Sequence, residues 1–469
     1  MLQRMSNSKK SILFVGHAFY NAWYLSRELR KIGWKAGVIN IDNNPDTQSF
    51  YHGQDIKFEY IPEDLLFRLN TYLAALRQYE VFHFSNQNGI YFIDDQRGIG
   101  RARIFFPIAE KVFSIFFKNK NFDKKIRLLI SFKLIKSDES GILSLTRIGF
   151  WAYRKVLGQW ILHKYGKFWD IHLLKLAGKK IGYSNNGCSD GVLKSTFGQW
   201  KLFNTCSICK WNNHPEVCSD ELNKKWGEFR NSIADYQCNI GSNKADYNLD
   251  DSVFESPWFY CLDTNFWNPE TLIPSNYLLP FQSDIVKIYH SVGDFEKRSN
   301  AQNVTIKCTH IYLDLVDKFK KEGLPVELIF FHGLPNKIIR YYQMQSDIVV
   351  DMLTFGFFGA NVREAMMLGK PVVCYLRPEW LEDMRREIPD YVAELPVVSA
   401  TPDTVEEILK ELIDNKVKRE EIGRKSREFA VKWHGSDKAA QYFDQFLSLQ
   451  IEGKADKKAV FDIQKRIYN

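Results

Sequence analysis

The sequence has no uncharged apolar run long enough to cross a bilayer, no internal repeat and no low-complexity tract. Its N-terminal stretch offers only "SILFV" as an apolar run, too short for the core of a secretory signal. These absences predict a cytoplasmic protein. Its eight cysteines are then expected to stay reduced or to bind metal rather than to pair. Acidic residues are scarce in one place. Residues 101–168 carry 15 Lys/Arg against 4 Asp/Glu, a net +11, which leaves the rest of the 469-residue chain at −3. No RNA or DNA motif accompanies that basic excess, so nucleic acid is not expected as a partner.

What is present is a chain long enough for two or more domains with sizeable cores. Short apolar runs alternate with helical patterns. "SILFVG" precedes a helix whose Leu25, Leu29 and Ile32 share a face, and "KAGVINI", "EVFHFS", "KKIGYSNN", "SIADYQCNI" and "WFYCLD" read as further strands. The proline-marked stretch 268–284 reads as a linker. Beyond it "VKIYHS", "VELIFFHG", "DIVVDML" and "PVVCYL" form a second series. This β–α alternation predicts an α/β protein with two doubly wound Rossmann-like domains facing each other across a cleft. The first spans 1–275, with a basic helical insertion at about 101–168 and a cysteine-rich loop at 188–218; the second spans 276–450. Residues 451–469 form a tail or a helix crossing back to the first domain.

Open α/β sheets bind ligands beyond the carboxyl ends of their strands, so candidate residues are sought in the loops there. In "GFFGANVREAMMLGKPVVCYL" a glycine turn opens a helix with Val362, Ala365, Met366 and Gly369 on its core face. Glu364 lies on the other side. It is either a solvated first-turn carboxylate favoured by the helix dipole or a ligand for a polar substrate. The amides of Gly359, Ala360 and Asn361 open this helix, a setting that suits a phosphate. A carboxylate one turn on suits a vicinal diol. Lys307 and Arg298 can supply cations to an anionic ligand. His290 follows a strand and either touches a ligand or is structural. His83 ends a strand of the first domain and could orient or deprotonate a substrate hydroxyl. Gly16 and His17 are expected on the first domain's side of the cleft, although Gly16 also reads as a plain strand-to-helix turn.

The segment 286–376 resembles the donor domain of GT-B-fold glycosyltransferases, especially glycosyltransferase family 4. "GANVREAMMLGKPVV" matches the second half of the family's E-x7-E turn–helix and the "GKPVV" that follows it. Glu364 falls on the second glutamate, which in the family holds the ribose hydroxyls of the nucleotide. Gly356 stands where the family has its first glutamate, a sugar contact, and Asp351 is the nearest acid that could substitute. "IKCTHIYLDL" is similar to the family's "KGT" helix start, with Lys307 on the lysine and Cys308 on the glycine. "HSVGDFEKRSN" resembles the loop carrying the basic diphosphate ligand, which makes Arg298 the candidate and Lys297 its neighbour in register. "CLDTNFWNP" resembles the turn that ends the family's acceptor domain. The resemblance implies a nucleotide diphosphate sugar donor, retention of anomeric configuration and no catalytic metal. The acceptor would be a glycan or a lipid-linked saccharide, in cell-surface polysaccharide or glycoconjugate synthesis. Two alternatives remain: a GT-B sugar-nucleotide epimerase, or a non-catalytic nucleotide-sugar-binding protein with a degenerate donor site, favoured by Gly356.

Two further segments carry their own expectations. The insertion interleaves Phe, Ile and Leu with Lys and Arg, so it is either an ordinary helical subdomain or a segment lying peripherally on an anionic membrane surface. In the loop 188–218, Cys206 and Cys209 form a C-x2-C pair, Cys218 follows and Cys188 precedes. Four thiolates satisfy a structural zinc ion, and His214 could replace one of the outer two; free buried cysteines are the alternative.

Overall fold

The computed structural model describes residues 10–16, 20–40, 52–53, 55–57, 65–85, 169–185, 191–200, 202, 205–215, 217–239, 244–280, 284–293, 295–300 and 304–468. The insertion 101–168, His17 and Cys188 lie outside them.

The first sheet has seven parallel strands in the order β3-β2-β1-β4-β5-β6-β7. They are β1 (Ser11–Val15), β2 (Lys35–Asn40), β3 (Ile56–Lys57), β4 (Val81–Phe84), β5 (Lys180–Asn185), β6 (Tyr236–Asn239) and β7 (Val253–Glu255). The second has five, β12-β11-β10-β8-β9. These are β8 (Val286–Val292), β9 (Val326–His332), β10 (Ile348–Val350), β11 (Val372–Cys374) and β12 (Val398–Ser399). All pairings are parallel, with Ile12 opposite both Ala36 and Val81 in one sheet and Ile288 opposite both Leu328 and Ile348 in the other. Strands covered on both faces read as continuous apolar runs, which is why "SILFV" and "IVV" are buried at every position. The two facing doubly wound domains are the GT-B architecture expected from the sequence.

One strand lies elsewhere than expected. "WFYCLD" contributes no sheet strand; Val253–Glu255 pairs with β6 instead, and Pro257–Phe259 makes a single 3-10 turn. Pro257 has no N–H to give a ladder, and its neighbours Trp258 and Phe259 are fully buried against the C-terminal helices.

Those helices tie the domains together. The helix Ser436–Glu452 lies on the first helix, Asn21–Lys31. Asp444 there accepts from Trp34 Nε1 at 2.7 Å and pairs with Lys10 at 2.6 Å. The last helix, Lys457–Tyr468, puts Tyr468 on Trp258 and Trp433, ring centroids 4.7 and 5.0 Å away. Below the candidate site the helix Lys416–His434 approaches so closely that a Cβ on Gly423 would lie 2.4 Å from the Gly369 carbonyl oxygen. One hydrophobic core runs through the seam, joining Tyr20, Trp258 and Trp267 to Val362, Ala365 and Met366.

Candidate functional site

Asp351 follows β10 directly, at the carboxyl edge of the second sheet. Its side chain is fully buried, and Lys307 Nζ forms an ion pair with it. Lys307 stands just before the helix Thr309–Lys321. Between them Cys308 takes a left-handed conformation, φ 59°, at the position where the family resemblance has glycine. A side chain there costs about 1–2 kcal/mol, and the turn it closes holds Lys307 against Asp351.

The turn before the next helix has Gly356 at φ 99°, a conformation that glycine adopts without a Cβ clash. Gly359 caps the helix Ala360–Met367, so the amides of Ala360 and Asn361 lie in its first turn. Asn361 accepts from Gln343 Nε2 at 2.8 Å and Ser291 Oγ at 3.3 Å, while its own Nδ2 has no partner among the described residues.

Glu364 is buried, not solvated, and faces the first domain. Tyr20 OH, Asn336 Nδ2 (2.8 Å) and Gln343 Nε2 (3.3 Å) donate to its carboxylate. Burial pushes its pKa up, while these hydrogen bonds and Lys307 oppose the rise. Asn336 Oδ1 in turn meets His52 Nε2 at 2.8 Å, and His52 Nδ1 meets Tyr24 OH at 2.8 Å. Since Asn336 Oδ1 and Tyr24 OH can both be satisfied only by one tautomer, His52 carries its proton on Nε2. Burial lowers its pKa to about 4. A relay thus runs from the first helix through His52 and Asn336 to Glu364. Lys307, Asp351, Asn361 and Glu364 gather at the carboxyl edge of the second sheet, and Glu364 meets the first domain through Tyr20.

The first domain also covers the Gly356 turn. Phe197 of the helix Lys194–Gln199 meets Phe355 at 5.5 Å, Arg377 lies over Trp200 at 4.1 Å, and Leu202 N–H donates to the Thr354 carbonyl at 3.2 Å.

No protein-family model matches the chain, and no curated protein sequence does. Solved structures do resemble it. HepE of Anabaena, in complex with UDP-glucose, is 11% identical over 93% of this chain and 99% of its own, with a TM-score of 0.49. MnaA of S. aureus, with UDP, is 12% identical over 94% and 97%, with a TM-score of 0.44. Sucrose-phosphate synthase from Thermosynechococcus elongatus is 12% identical over 95% and 100%, with a TM-score of 0.45.

Two histidines stand apart from this convergence. His83 is not on the cleft: it is 1% exposed, stacked on Phe259 at 4.5 Å, with Nδ1 3.1 Å from Tyr236 OH. Burial lowers its pKa to about 3. A strand position says nothing of what covers each face, and here aromatic rings cover it, so His83 cannot reach an acceptor hydroxyl. His290 has both nitrogens engaged, Nδ1 with the Val350 carbonyl (3.2 Å) and Nε2 with Thr309 Oγ1 (2.9 Å), and burial lowers its pKa to about 4. It braces β8 against β10 and the next helix rather than presenting a free nitrogen to a ligand.

Gly16 forms the turn after β1 at φ 92°, its N–H donating to the Ile39 carbonyl at 2.9 Å. Arg298 ends the short helix Phe295–Arg298; its side chain, like that of Lys297, lies outside the described residues. Cys206 and Cys209 close one turn, the Cys209 N–H donating to the Cys206 carbonyl at 3.2 Å. Burial raises the Cys218 pKa, and Cys209 and Cys206 add to the rise. Among the described residues no three metal-ligating side chains gather. No helix among them is long and apolar enough to cross a membrane.

Tyr20, His52, Asn336 and Gln343 carry no sequence signal of their own. Only the position of Tyr20, just past the first strand's turn, could have drawn attention to it.

Proposed function

We propose that the chain is a glycosyltransferase that moves a sugar from a nucleotide diphosphate donor to a hydroxyl of a glycan or lipid-linked acceptor, in cell-surface polysaccharide or glycoconjugate synthesis. The observation that carries this reading is the gathering of Lys307, Asp351, Asn361 and Glu364 at one sheet edge, with Glu364 reached by Tyr20 of the other domain. In this reading the ribose diol displaces Tyr20 and takes the Glu364 carboxylate. The diphosphate lies at the N-terminus of the helix Ala360–Met367, with Lys307 and Arg298 stabilising charge as the glycosidic bond breaks. Asp351 holds Lys307 in place.

With His83 sealed in the core, the reading needs no histidine base. The family resemblance implies retention without a catalytic metal, the departing phosphate oxygen taking the acceptor proton. The segment 101–168 would hold the enzyme peripherally at the inner face of a membrane, and the cysteine loop would carry a structural zinc that braces the acceptor side. The Tyr20–Glu364 contact also favours a second reading, a binding protein whose donor site stays shut.

The test is a thermal-stability screen against UDP, GDP, ADP and their sugars, followed by nucleotide release with and without acceptor. A cognate nucleotide should raise the melting temperature of the wild type, and Glu364→Ala should abolish the rise. No shift with any nucleotide overturns the reading, whereas a shift without release favours the binding protein.

A further inference from the structure

At the carboxyl end of β7, the edge strand of the first sheet, a cavity of about 230 Å3 lies between both domains and the last helix. Its walls include Glu255 from β7, Arg386 from the helix Pro378–Glu387, and Lys457, Phe461 and Gln464 from the helix Lys457–Tyr468. Glu255 is only 8% exposed. Asn239 Nδ2 donates to its Oε1 at 2.7 Å, and Lys244 Nζ lies 4.0 Å from the same oxygen. Lys244 also forms an ion pair with Glu387 of the second domain. On its other side Glu255 borders a small void beside Phe357, Phe358 and Arg363. The carboxyl group therefore stands between an open cavity and the turn that leads into the helix Ala360–Met367.

The chemistry of the walls selects the occupant. Phe461 is 47% exposed, an aromatic ring left open on the cavity side of an amphipathic helix whose Val460, Ile463 and Tyr468 are buried. Arg386 is already near Glu382 (3.5 Å) and Asp383 (3.7 Å), and Lys457 near Asp251 (3.2 Å), so the rim offers no surplus of positive charge for an anion. A buried carboxyl, an amide and an open aromatic ring suit a neutral polyhydroxylated ring, whose C–H face covers the aromatic while its hydroxyls meet the polar groups. Burial raises the Glu255 pKa to about 7, against the opposing pull of Lys244 and Asn239. Near neutrality the group can therefore both donate to and accept from a hydroxyl.

We infer that this cavity is a subsite for a neutral saccharide unit of the acceptor, with Glu255 and Gln464 gripping its hydroxyls and Phe461 covering one face. The inference rests on the transferase reading for its role but not for its existence. Saturation-transfer NMR tests it with no donor present, on the full chain, using the methyl glycosides of glucose, galactose, N-acetylglucosamine and glucuronic acid. At least one neutral glycoside should take saturation from the wild type. Phe461→Ala should reduce that signal at least five-fold, and Glu255→Ala, which removes both donor and acceptor, at least three-fold. Phe461 is half-exposed, so its loss leaves the core intact and keeps the test readable if Glu255→Ala misfolds. No saturation of any neutral glycoside, preference for the glucuronide, or full signal in Phe461→Ala overturns the subsite. Glycoside binding in a chain that no nucleotide stabilises would keep the subsite and reject the transferase.

Discussion

Tyr20 and Glu364, 344 positions apart, meet in the seam between the domains, the phenol donating to the carboxylate. The carboxylate assigned to the ribose diol is thus already holding a hydroxyl, one supplied by the first domain. In the proposed reading a nucleotide would have to break that contact before binding. Tyr20→Phe is expected to bind the cognate nucleotide diphosphate more tightly than the wild type in titration calorimetry. It should also unfold more easily, because a hydrogen bond to a charged group contributes about 1.5–3 kcal/mol. Equal or weaker nucleotide affinity would remove Tyr20 from the role of a stand-in for the ligand.

Lys307 and Asp351 form a second test. Lys307→Ala strands a fully buried carboxylate, and breaking a buried pair this way costs about 3–5 kcal/mol. Adding Asp351→Asn should recover most of that stability in denaturant titration. Turnover should stay low in the double variant, since the cation proposed to offset leaving-group charge is still missing. Recovered turnover would make the pair purely structural.

The raised Glu255 pKa predicts a pH slope. From its ordinary 4.5 to about 7 in the fold, the folded state holds the proton more tightly than the unfolded chain. Its contribution is therefore fully present below pH 4.5 and is lost as pH rises through about 7. The loss amounts to about 3 kcal/mol. Lys244, Asp383, Arg386 and Glu387 face the same junction, and the effect is read against them. Glu255→Gln mimics the protonated group, so its unfolding free energy should match the wild type near pH 4 and exceed it at pH 8. Parallel pH curves for the two proteins would show that Glu255 titrates normally.

The spacing of the cysteine loop proposes zinc, and because no three of the described ligands gather in the fold, metal binding would have to draw Cys206, Cys209 and Cys218 together. Elemental analysis of the purified chain should find one zinc, and Cys206→Ser with Cys209→Ser should lose it and lower the melting temperature. Folded, active, metal-free wild type would sink the idea.

The insertion 101–168, at net +11, predicts binding to anionic vesicles, each basic side chain near the surface adding about 1 kcal/mol. Sedimentation with phosphatidylserine vesicles should fall as salt rises. Equal partitioning to neutral vesicles would exclude the electrostatic version.

Much of the fold was legible in the sequence because parallel strands buried on both faces announce themselves as apolar runs between helical patterns. "SILFV", "VKIYHS" and "PVVCYL" all became strands at or within a residue or two of where they were expected. "GANVREAMMLGKPVV" likewise placed Glu364 in a helix after a glycine turn. Neighbouring residues determine such local features, so the sequence alone suffices for them. It could not decide what each side chain faces. His83 ends a strand, as expected, yet Phe259 and Tyr236, more than 150 positions away, seal it from the cleft. "WFYC" has strand composition, yet Pro257 and the C-terminal helices make it a buried turn. The contacts that define the site, Tyr20 with Glu364 and His52 with Asn336, join residues hundreds of positions apart. Their partners are chosen by how two separately formed domains meet, a choice that no short-range pattern encodes.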